Sequence, residues 1–561
     1  MIEKIKSLKN NRFFLPILLL LVALPTVLGI IGPSLYSLHD DMHPAWLYEM
    51  DRALKGGQYP PRWAPDLSFN FGYPLFNFVY PLPFYLAEVF YLAGFSLVGA
   101  VKIVFALSLL FSGLTMFLFL KRNFGNLFSF LGATLYIYTP YRAVDVYVRG
   151  AIGEALSFVF IPLVAYAVDR LVKEKGRINI ALLGISFALL ILSHNIAFLM
   201  ATPFLFFYGA VLLLLVKEKL KVFFQLVSGF VLGASISSFF WLPAFWEKRL
   251  MAADTVFNFQ DHFPFIKQLI YSPWGYGTSF WGPNDEMSFQ IGIVNLLAVV
   301  IITVGFVWLK RLPLFVWGMA SLGIVLFLMN IRSGFIWNKV SLLPYFQFPW
   351  RFLILTTFLT PFLVALIEKI PISVKVKQII AISFLILAPV LTFSYFKPEK
   401  PLPERTDDYF MHRYFANKTK TGYTQEISPV YLTLKEEYLR LPLWTEVRPS
   451  ALPAAKIEAK IGELTFLEKT PTYFIAQIKT LKETSIVFHS YYYPGWEAFL
   501  DGAKIEVSIN QPHGDMLIKV PEGQHEIIFK FNETDLRRFA NLFSLGALTL
   551  ALFFVLKRRK K

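Results

Sequence analysis

The sequence predicts a polytopic α-helical membrane protein of about twelve transmembrane helices, with an extracytoplasmic β-sandwich domain before the last of them. Three observations predict it. Of 561 residues, 56% are apolar, more than the polar surface of a soluble domain allows. Apolar runs of about 17–25 residues, each long enough to cross a hydrocarbon core, recur to residue 396 and once more near the C-terminus. Only region 397–536 is markedly polar, and it alternates with the period of strands.

The first run, 13–31, follows Lys4, Lys6, Lys9 and Arg12 and reads as a retained signal anchor. The others are 97–120, 125–140, 152–170, 178–192, 196–216, 223–243, 289–309, 313–330, 352–368, 378–395 and 538–556. With the N-terminus inside, the inner loops at 121–122, 170–177, 217–221, 310–311 and 369–377 and the tail 557–561 are all basic. This obeys the positive-inside rule. The net charge of +16 is therefore read as topological and not as a nucleic-acid surface. Residues 81–95 would invert that pattern if they crossed. Short, proline-led and aromatic, they read as a helix at the outer interface. Cysteine is absent, which excludes disulfides, a thiol nucleophile and a Cys-based metal site.

The chain divides into a helical module, 1–396, a β-rich domain, 397–536, and a final helix with basic tail, 537–561. In the β-rich domain Thr484–Tyr492, Lys504–Ser508 and Glu526–Phe531 read as strands. Asp501-Gly502 is a hairpin turn signal, and Pro521-Glu522-Gly523 reads as a second turn. The domain is either a sugar- or polymer-binding module or a structural cover over the outer loops. Asn417-Lys-Thr and Asn532-Glu-Thr match the glycosylation acceptor pattern, one that also arises by chance.

Candidate chemistry collects in the outer loops, where function more often resides. After Pro44, residues Trp46, Leu47, Met50 and Leu54 share one helical face and Glu49, Arg52 and Lys55 lie on others. That pattern predicts an amphipathic helix on the membrane surface (about 43–56), ended by Gly56-Gly57. Asp40 and Asp41 precede it, flanked by His39 and His43 and followed by Arg62. Such an acidic pair is either a cap or a catalytic feature. A second cluster, Arg142, Asp145, Arg149 and Glu154, puts arginines outside, against the topological bias, as phosphate binding would require. Glu154 falls just inside a span, where a carboxylate is costly, so an ion pair with Arg149 is the plain alternative. His194 sits in a polar turn between helices, as a cap or a binding group. Trp350 and Arg351 stand at the outer lip of a span, and Lys102 could face an anionic headgroup.

Cationic groups suit a phosphate leaving group, and a carboxylate suits an attacking hydroxyl. Together they fit glycosyl transfer from a lipid phosphate. No organic cofactor is implied. A divalent cation, magnesium or manganese, could assist.

An acidic motif after the first span, a surface helix and then an interfacial helix resemble the GT-C superfamily of membrane glycosyltransferases. The strings HDDMHPAWLYEMDRALKGGQYPPRW, GYPLFNFVYPLPFYLAE, YVRGAIGEAL, LSHN, FFWLPAFWEK and QFPWRFL, in that order, resemble the bacterial YfhO-like family and membrane proteins labelled 6-pyruvoyl-tetrahydropterin synthase-related. YYYPGWEAFLDG with PEGQHEIIFKF resembles that family's extracytoplasmic β domain. No zinc site of the soluble pterin enzymes is present. The charge pattern puts both termini in the cytoplasm, and the resemblance implies an inverting transferase of the cell membrane acting outside. Its donor would be a polyprenyl-phosphate sugar and its acceptor a cell-envelope glycan or polymer. The candidate base maps onto Asp40 or Asp41, and a second acidic residue onto Asp145 or Glu154, the latter within the RGxxxE string. The rival readings are a transporter or flippase of lipid-linked sugars, and a non-catalytic polymer-assembly protein. The flippase would need ionisable groups near the bilayer midplane, whereas the mid-span residues are mostly Leu, Ile, Phe, Val and Ala.

Overall fold

A computed structural model describes residues 13–252, 258–415 and 441–557. Lys4, Lys6, Lys9, Arg12, the Asn417 tripeptide and tail residues 558–561 lie outside them. Most of the chain is helical, and a β domain precedes the final helix. Among the described residues seven helices are long and apolar enough to cross a membrane: Leu97–Leu120, Ile152–Glu174, Asn195–Leu213, Lys219–Ile236, Pro349–Lys369, Val374–Tyr395 and Asp535–Leu556. An eighth span forms only if Pro313–Leu328 and Ile331–Lys339, bent by 86°, count together. The other expected runs are shorter helices, Phe14–Ile30, Asn126–Ile137, Arg177–Ser193 and Ile293–Val304. Their breaks have local causes. Pro25 tightens the first into 3₁₀ winding after Ala23. Gly305 ends Ile293–Val304. The helix at 219 stops at Ile236, and after Ser237 a separate helix runs over Ser238–Glu247. Val374–Thr392 exposes Ile379, Ile382, Ile386 and Val390, an apolar surface suited to lipid.

Five helices are numbered α1 (His43–Lys55), α2 (Leu82–Leu92), α3 (Leu97–Leu120), α4 (Ile152–Glu174) and α5 (Asp535–Leu556). α2 has 11 residues and reaches about 16 Å, half the hydrocarbon core. α1 differs from the surface helix that its amphipathic pattern suggests. Glu49 and Asp51 are buried along with Trp46, Leu47 and Met50. The reason is coverage on several sides: Trp46 packs on Phe84 of α2, Tyr48 meets Phe415, and Arg52 pairs with Glu468 of the β domain.

Glu88 of α2 lies beside Asp51 of α1. Burial, then the Asp51 charge, push Glu88 up to about 7. An acid whose folded pKa exceeds its unfolded value of about 4.3 binds more protons when folded. Stability therefore falls as pH rises from about 4.5 to 7. Glu88→Gln is expected to flatten that decline, read as melting temperature against pH.

Among the described residues the β domain holds nine antiparallel strands in two sheets, ordered β1-β4-β8-β7 and β2-β3-β9-β5-β6. The strands run from β1 (Ile457–Ala459), β2 (Glu463–Thr470), β3 (Tyr473–Thr480) and β4 (Thr484–Tyr491) to β5 (Trp496–Leu500), β6 (Ala503–Ile505), β7 (Ser508–Asn510), β8 (Asp515–Val520) and β9 (Gly523–Phe531). Phe488 of β4 joins the two sheets, its ring 4.5 Å from Phe529, 5.0 Å from Phe474 and 5.2 Å from Trp496. Asp501 and Gly502, both at positive φ, turn β5 into β6. Thr534 of the Asn532 tripeptide caps α5, and Asn532 Nδ2 donates to Glu497.

The first loop joins the two domains. Tyr491 N donates to Phe71 O at 2.9 Å, and Ser68 Oγ meets Tyr491 OH at 2.9 Å. Trp63 packs on Trp496 and Phe531. Beneath this seam Glu247 receives both Arg537 Nε and Nη2 at 2.8 Å, Asn77 Nδ2 at 2.7 Å and Tyr493 OH at 3.0 Å.

Candidate active site

The site lies at the end of the bundle that bears the β domain. Pro140 starts a short helix, Pro140–Ala143, which widens into a π-helix over Val144–Arg149. π-turns occur often at functional sites. Gly150, at φ 68°, closes it in the left-handed region. α4 then starts at Ile152 and carries Glu154 in its first turn. The wide turn sets Tyr141, Asp145 and Arg149 on one side, facing Glu154.

All four side chains are buried and interlocked. Arg149 Nη1 donates to Asp145 Oδ1 at 2.8 Å and lies 2.7 Å from Glu154 Oε1. Tyr141 OH donates to Glu154 Oε1 at 2.5 Å and accepts from Arg149 at 3.0 Å. Arg351 Nε approaches Glu154 Oε2 at 3.4 Å. Burial, then the Glu154 charge, push Asp145 well above the ordinary carboxylate range.

Arg351 reaches the cluster from a strained turn. Gln347 stands at φ 67°, ψ −55°, while Phe348 N donates to Phe346 O at 2.7 Å. This γ-turn is of the rare positive-φ kind. Arg351 Nη1 bonds Gln347 Oε1 at 2.8 Å and Phe346 O at 3.1 Å. Strain of this kind persists where the surroundings enforce it, often at functional sites. Trp350 stacks between Phe348 and Phe289, and the Arg149 guanidinium lies over its ring at 5.0 Å.

The acidic pair splits. Residues 39 and 40 run beside 148 and 149: His39 N donates to Val148 O at 3.1 Å and Asp40 N to Arg149 O at 2.9 Å. Asp40 is half-buried, within electrostatic reach of Tyr80 and Arg351. Asp41 is buried elsewhere. Its oxygens take Arg405 Nη1 at 3.1 Å and Tyr414 OH at 2.9 Å, with Arg413 at 3.5 Å. His43 Nε2 donates to Gly150 O at 2.6 Å among Trp46, Phe84 and Phe105, and burial lowers its pKa. His43 thus pins the loop that carries Arg149. His39 is exposed, with Nε2 on Tyr276 O at 2.9 Å.

His194 caps the helix after the turn, its Nδ1 accepting from Ala197 N at 3.0 Å. That bond leaves the proton of a neutral ring on Nε2. The ring packs 5.0 Å from Tyr80 and feels Glu154 and Arg351. Asp40, Asp145, Arg149, Glu154, His194, Trp350 and Arg351 therefore converge.

Besides Asp41, His39 and His43, three more expected residues do not join them. Arg142 points beneath, to Ser108 O at 3.1 Å and Ser112 Oγ at 2.9 Å, with its guanidinium 4.2 Å from the Phe158 ring. Lys102 Nζ caps the carbonyls of Gly32 and Ser34 at 2.6 and 3.0 Å. Arg62 binds Glu533, Asn541 and Phe239 O at 2.9–3.1 Å. Sequence reasoning left out Tyr80, Tyr141 and Gln347. The strings that it drew on, YPLPF, TPYRAVD and QFPWR, contain all three.

Among the described residues no three His, Asp or Glu side chains gather as a metal-holding group. Asp41 and His43 are committed to Arg405 and Gly150. Asp41 is thus held by an arginine and a tyrosine, not set beside Asp40 for a shared cation.

Gly150 has no room for a side chain. A Cβ would stand 2.8 Å from Leu38 Cδ1 and 3.0 Å from Asp40 O, at φ 68°. Gly150→Ala is expected to cost about 1–3 kcal/mol of stability and to push Asp40 off Arg149. Melting temperature reads the first effect, and amide hydrogen exchange at Asp40, whose N–H bonds Arg149 O, reads the second.

No family model matches the chain. An uncharacterised protein of Lactococcus lactis subsp. cremoris (strain MG1363) is 27% identical over 202 residues, 34% of this chain and 32% of that one. The chain thus aligns with about a third of that relative's length. Among solved structures, the arabinofuranosyltransferase AftD from Mycobacteria superposes with a TM-score of 0.46 at 14% identity, over 71% of this chain and 28% of AftD. The apo oligosaccharyltransferase of Archaeoglobus fulgidus superposes with a TM-score of 0.39 at 13% identity, over 74% and 62%. At these values the reading of the site rests on its own geometry.

Proposed function

We propose that the protein is a membrane glycosyltransferase of the GT-C type. It moves a sugar from a polyprenyl-phosphate-linked donor to a cell-envelope acceptor on the extracytoplasmic face. The observation that carries this reading is the convergence of Asp40 with the Arg149–Glu154–Arg351 cluster from three separate parts of the chain. Asp40 is the general base. It accepts the proton of the acceptor hydroxyl as that oxygen attacks the anomeric carbon. The bond from that carbon to the phosphate oxygen breaks, and the polyprenyl phosphate leaves with the electron pair, inverting the centre. Glu154 is a positioning residue, since its carboxylate is committed to two arginines and a tyrosine.

An adjoining groove supports a lipid-linked donor. Leu269, Ile270, Ile291, Leu296, Leu326 and Phe327 line an apolar cavity of about 410 Å³. A neighbouring cavity of about 420 Å³ shares Ile266, Asn330 and Arg332 and adds Lys267 and Trp281. Apolar walls with Lys267 and Arg332 among the lining suit a prenyl chain and its phosphate. The loop forming this groove reaches the site twice, through Phe289 on Trp350 and through Tyr276 O on His39.

The test is the purified protein in liposomes with radiolabelled polyprenyl-phosphate hexose and an envelope-glycan acceptor. Labelled acceptor and free polyprenyl phosphate should appear in equal amounts. Donor crossing the bilayer without bond cleavage would sink this reading.

A further inference from the structure

A separate cavity lies where the first loop meets the β domain, and the cluster around Glu154 shares no residue with it. It measures about 400 Å³, within the ~300–1,000 Å³ of small-ligand sites. One wall is Gly56–Pro60 with Arg62. The other is the β2–β3 turn with the end of β9, from Lys530 to Glu533.

Both walls are braced by hydrogen bonds and packing. Gln58 folds its side chain across the loop: its Oε1 accepts from Arg62 N at 3.0 Å and Trp63 N at 2.9 Å, and its Nε2 donates to Trp63 O at 3.1 Å. Gly57 turns at φ 86°. A Cβ on Gly56 would stand 2.9 Å from Pro471 Cδ, so the loop touches the β2–β3 turn. Trp63, next along, is held against Trp496 and Phe531. A fixed cleft loses little entropy on binding.

The lining has an uncommon composition. Tyr59 holds a ring 74% exposed at the rim, with Tyr473 across the cleft. Between them stand amide, hydroxyl and charged groups: Asn532, Thr470, Lys530 and Glu533. Glu533 gives only Oε1 to Arg62, and its buried Oε2 has no hydrogen-bond partner. Two tyrosines among polar groups suit a ligand with an apolar face and a rim of hydroxyls. A sugar ring has that form: its C–H face lies on the aromatic ring and its hydroxyls bond the amide and carboxylate. A lipid tail would meet too much polar surface here. A phosphate would meet Glu533.

We infer that this seam, with Tyr59 and Tyr473 as stacking rings and Asn532 and Glu533 as hydroxyl partners, is a carbohydrate-binding subsite for neutral sugar units of a glycan. The site stands without the transferase reading, because its evidence is geometry remote from Asp40.

The experiment uses the full chain in lipid nanodiscs, with maltohexaose, cellohexaose and chitohexaose as probes and hexaglycine as the peptide comparison. Saturation-transfer NMR and calorimetry read binding. At least one hexasaccharide should bind and hexaglycine should not. Tyr59→Ala and Tyr473→Ala should each weaken binding by roughly tenfold or more, and Lys482→Ala, on a separate exposed turn, should leave it unchanged. Because the Tyr59 ring is mostly in solvent, an unchanged melting temperature should accompany its loss of binding. The proposal is overturned if no hexasaccharide binds, if binding survives both tyrosine substitutions, or if hexaglycine binds equally well.

Discussion

Asp40→Asn is expected to reduce sugar transfer by roughly 10²–10⁴-fold, the span that a positioned general base contributes. The asparagine keeps the backbone bond to Arg149 O and nearly the same shape but cannot accept the proton. Melting temperature should therefore stay near that of the parent, and donor binding should persist. Asp41→Asn should behave differently. Its carboxylate is buried under Arg405, Arg413 and Tyr414, so neutralising it leaves two guanidiniums without their counter-charge. Stability should fall, and activity should fall with it as the Asp40 segment loosens. Arg405→Ala should reproduce the stability loss. If Asp41→Asn abolished transfer at unchanged stability while Asp40→Asn remained active, the assignment of the base to Asp40 would be wrong.

The difference between the two aspartates shows where sequence reading stops. Apolar runs and turn signals are local. The long helices, the helix after Pro44 and the Asp501-Gly502 turn could therefore be placed from spacing alone. The partners of Asp41 lie 364 and 373 residues away, and no periodicity connects them. Arg62 seemed a ligand-binding residue because it shares a loop with Asp40. Its partner Glu533 is 471 residues distant, and only the docking of the β domain brings the two together. Lys102 and Arg142 looked like outward-facing cations. Their carbonyl partners could not be seen, because any backbone offers carbonyls. Arg149 with Glu154, by contrast, was legible. They stand close in sequence, and an unpaired carboxylate at the end of an apolar helix calls for a cation. The breaks that shorten several expected spans come from single residues such as Pro25 and Gly305, which a hydropathy window averages away.

The other large effect is expected at Glu247. Its carboxylate accepts both arms of Arg537 at 2.8 Å, together with Asn77 and Tyr493. Arg537 is fully buried and Glu247 3% exposed. Glu247→Leu removes the acid and leaves a buried guanidinium unpaired, a change that costs about 3–5 kcal/mol. The same carboxylate ties the Ser238–Glu247 helix to α5, the first loop and the β domain. The loss should therefore appear as separation of the β domain from the bundle. Limited proteolysis should cut near residues 532–535 in the variant and not in the parent, and the melting temperature in detergent should drop. Replacing both partners, Glu247→Leu with Arg537→Leu, should recover much of the stability, because no charge is then buried alone. Equal losses in the single and double variants would show that side-chain shape, and not charge pairing, holds this junction.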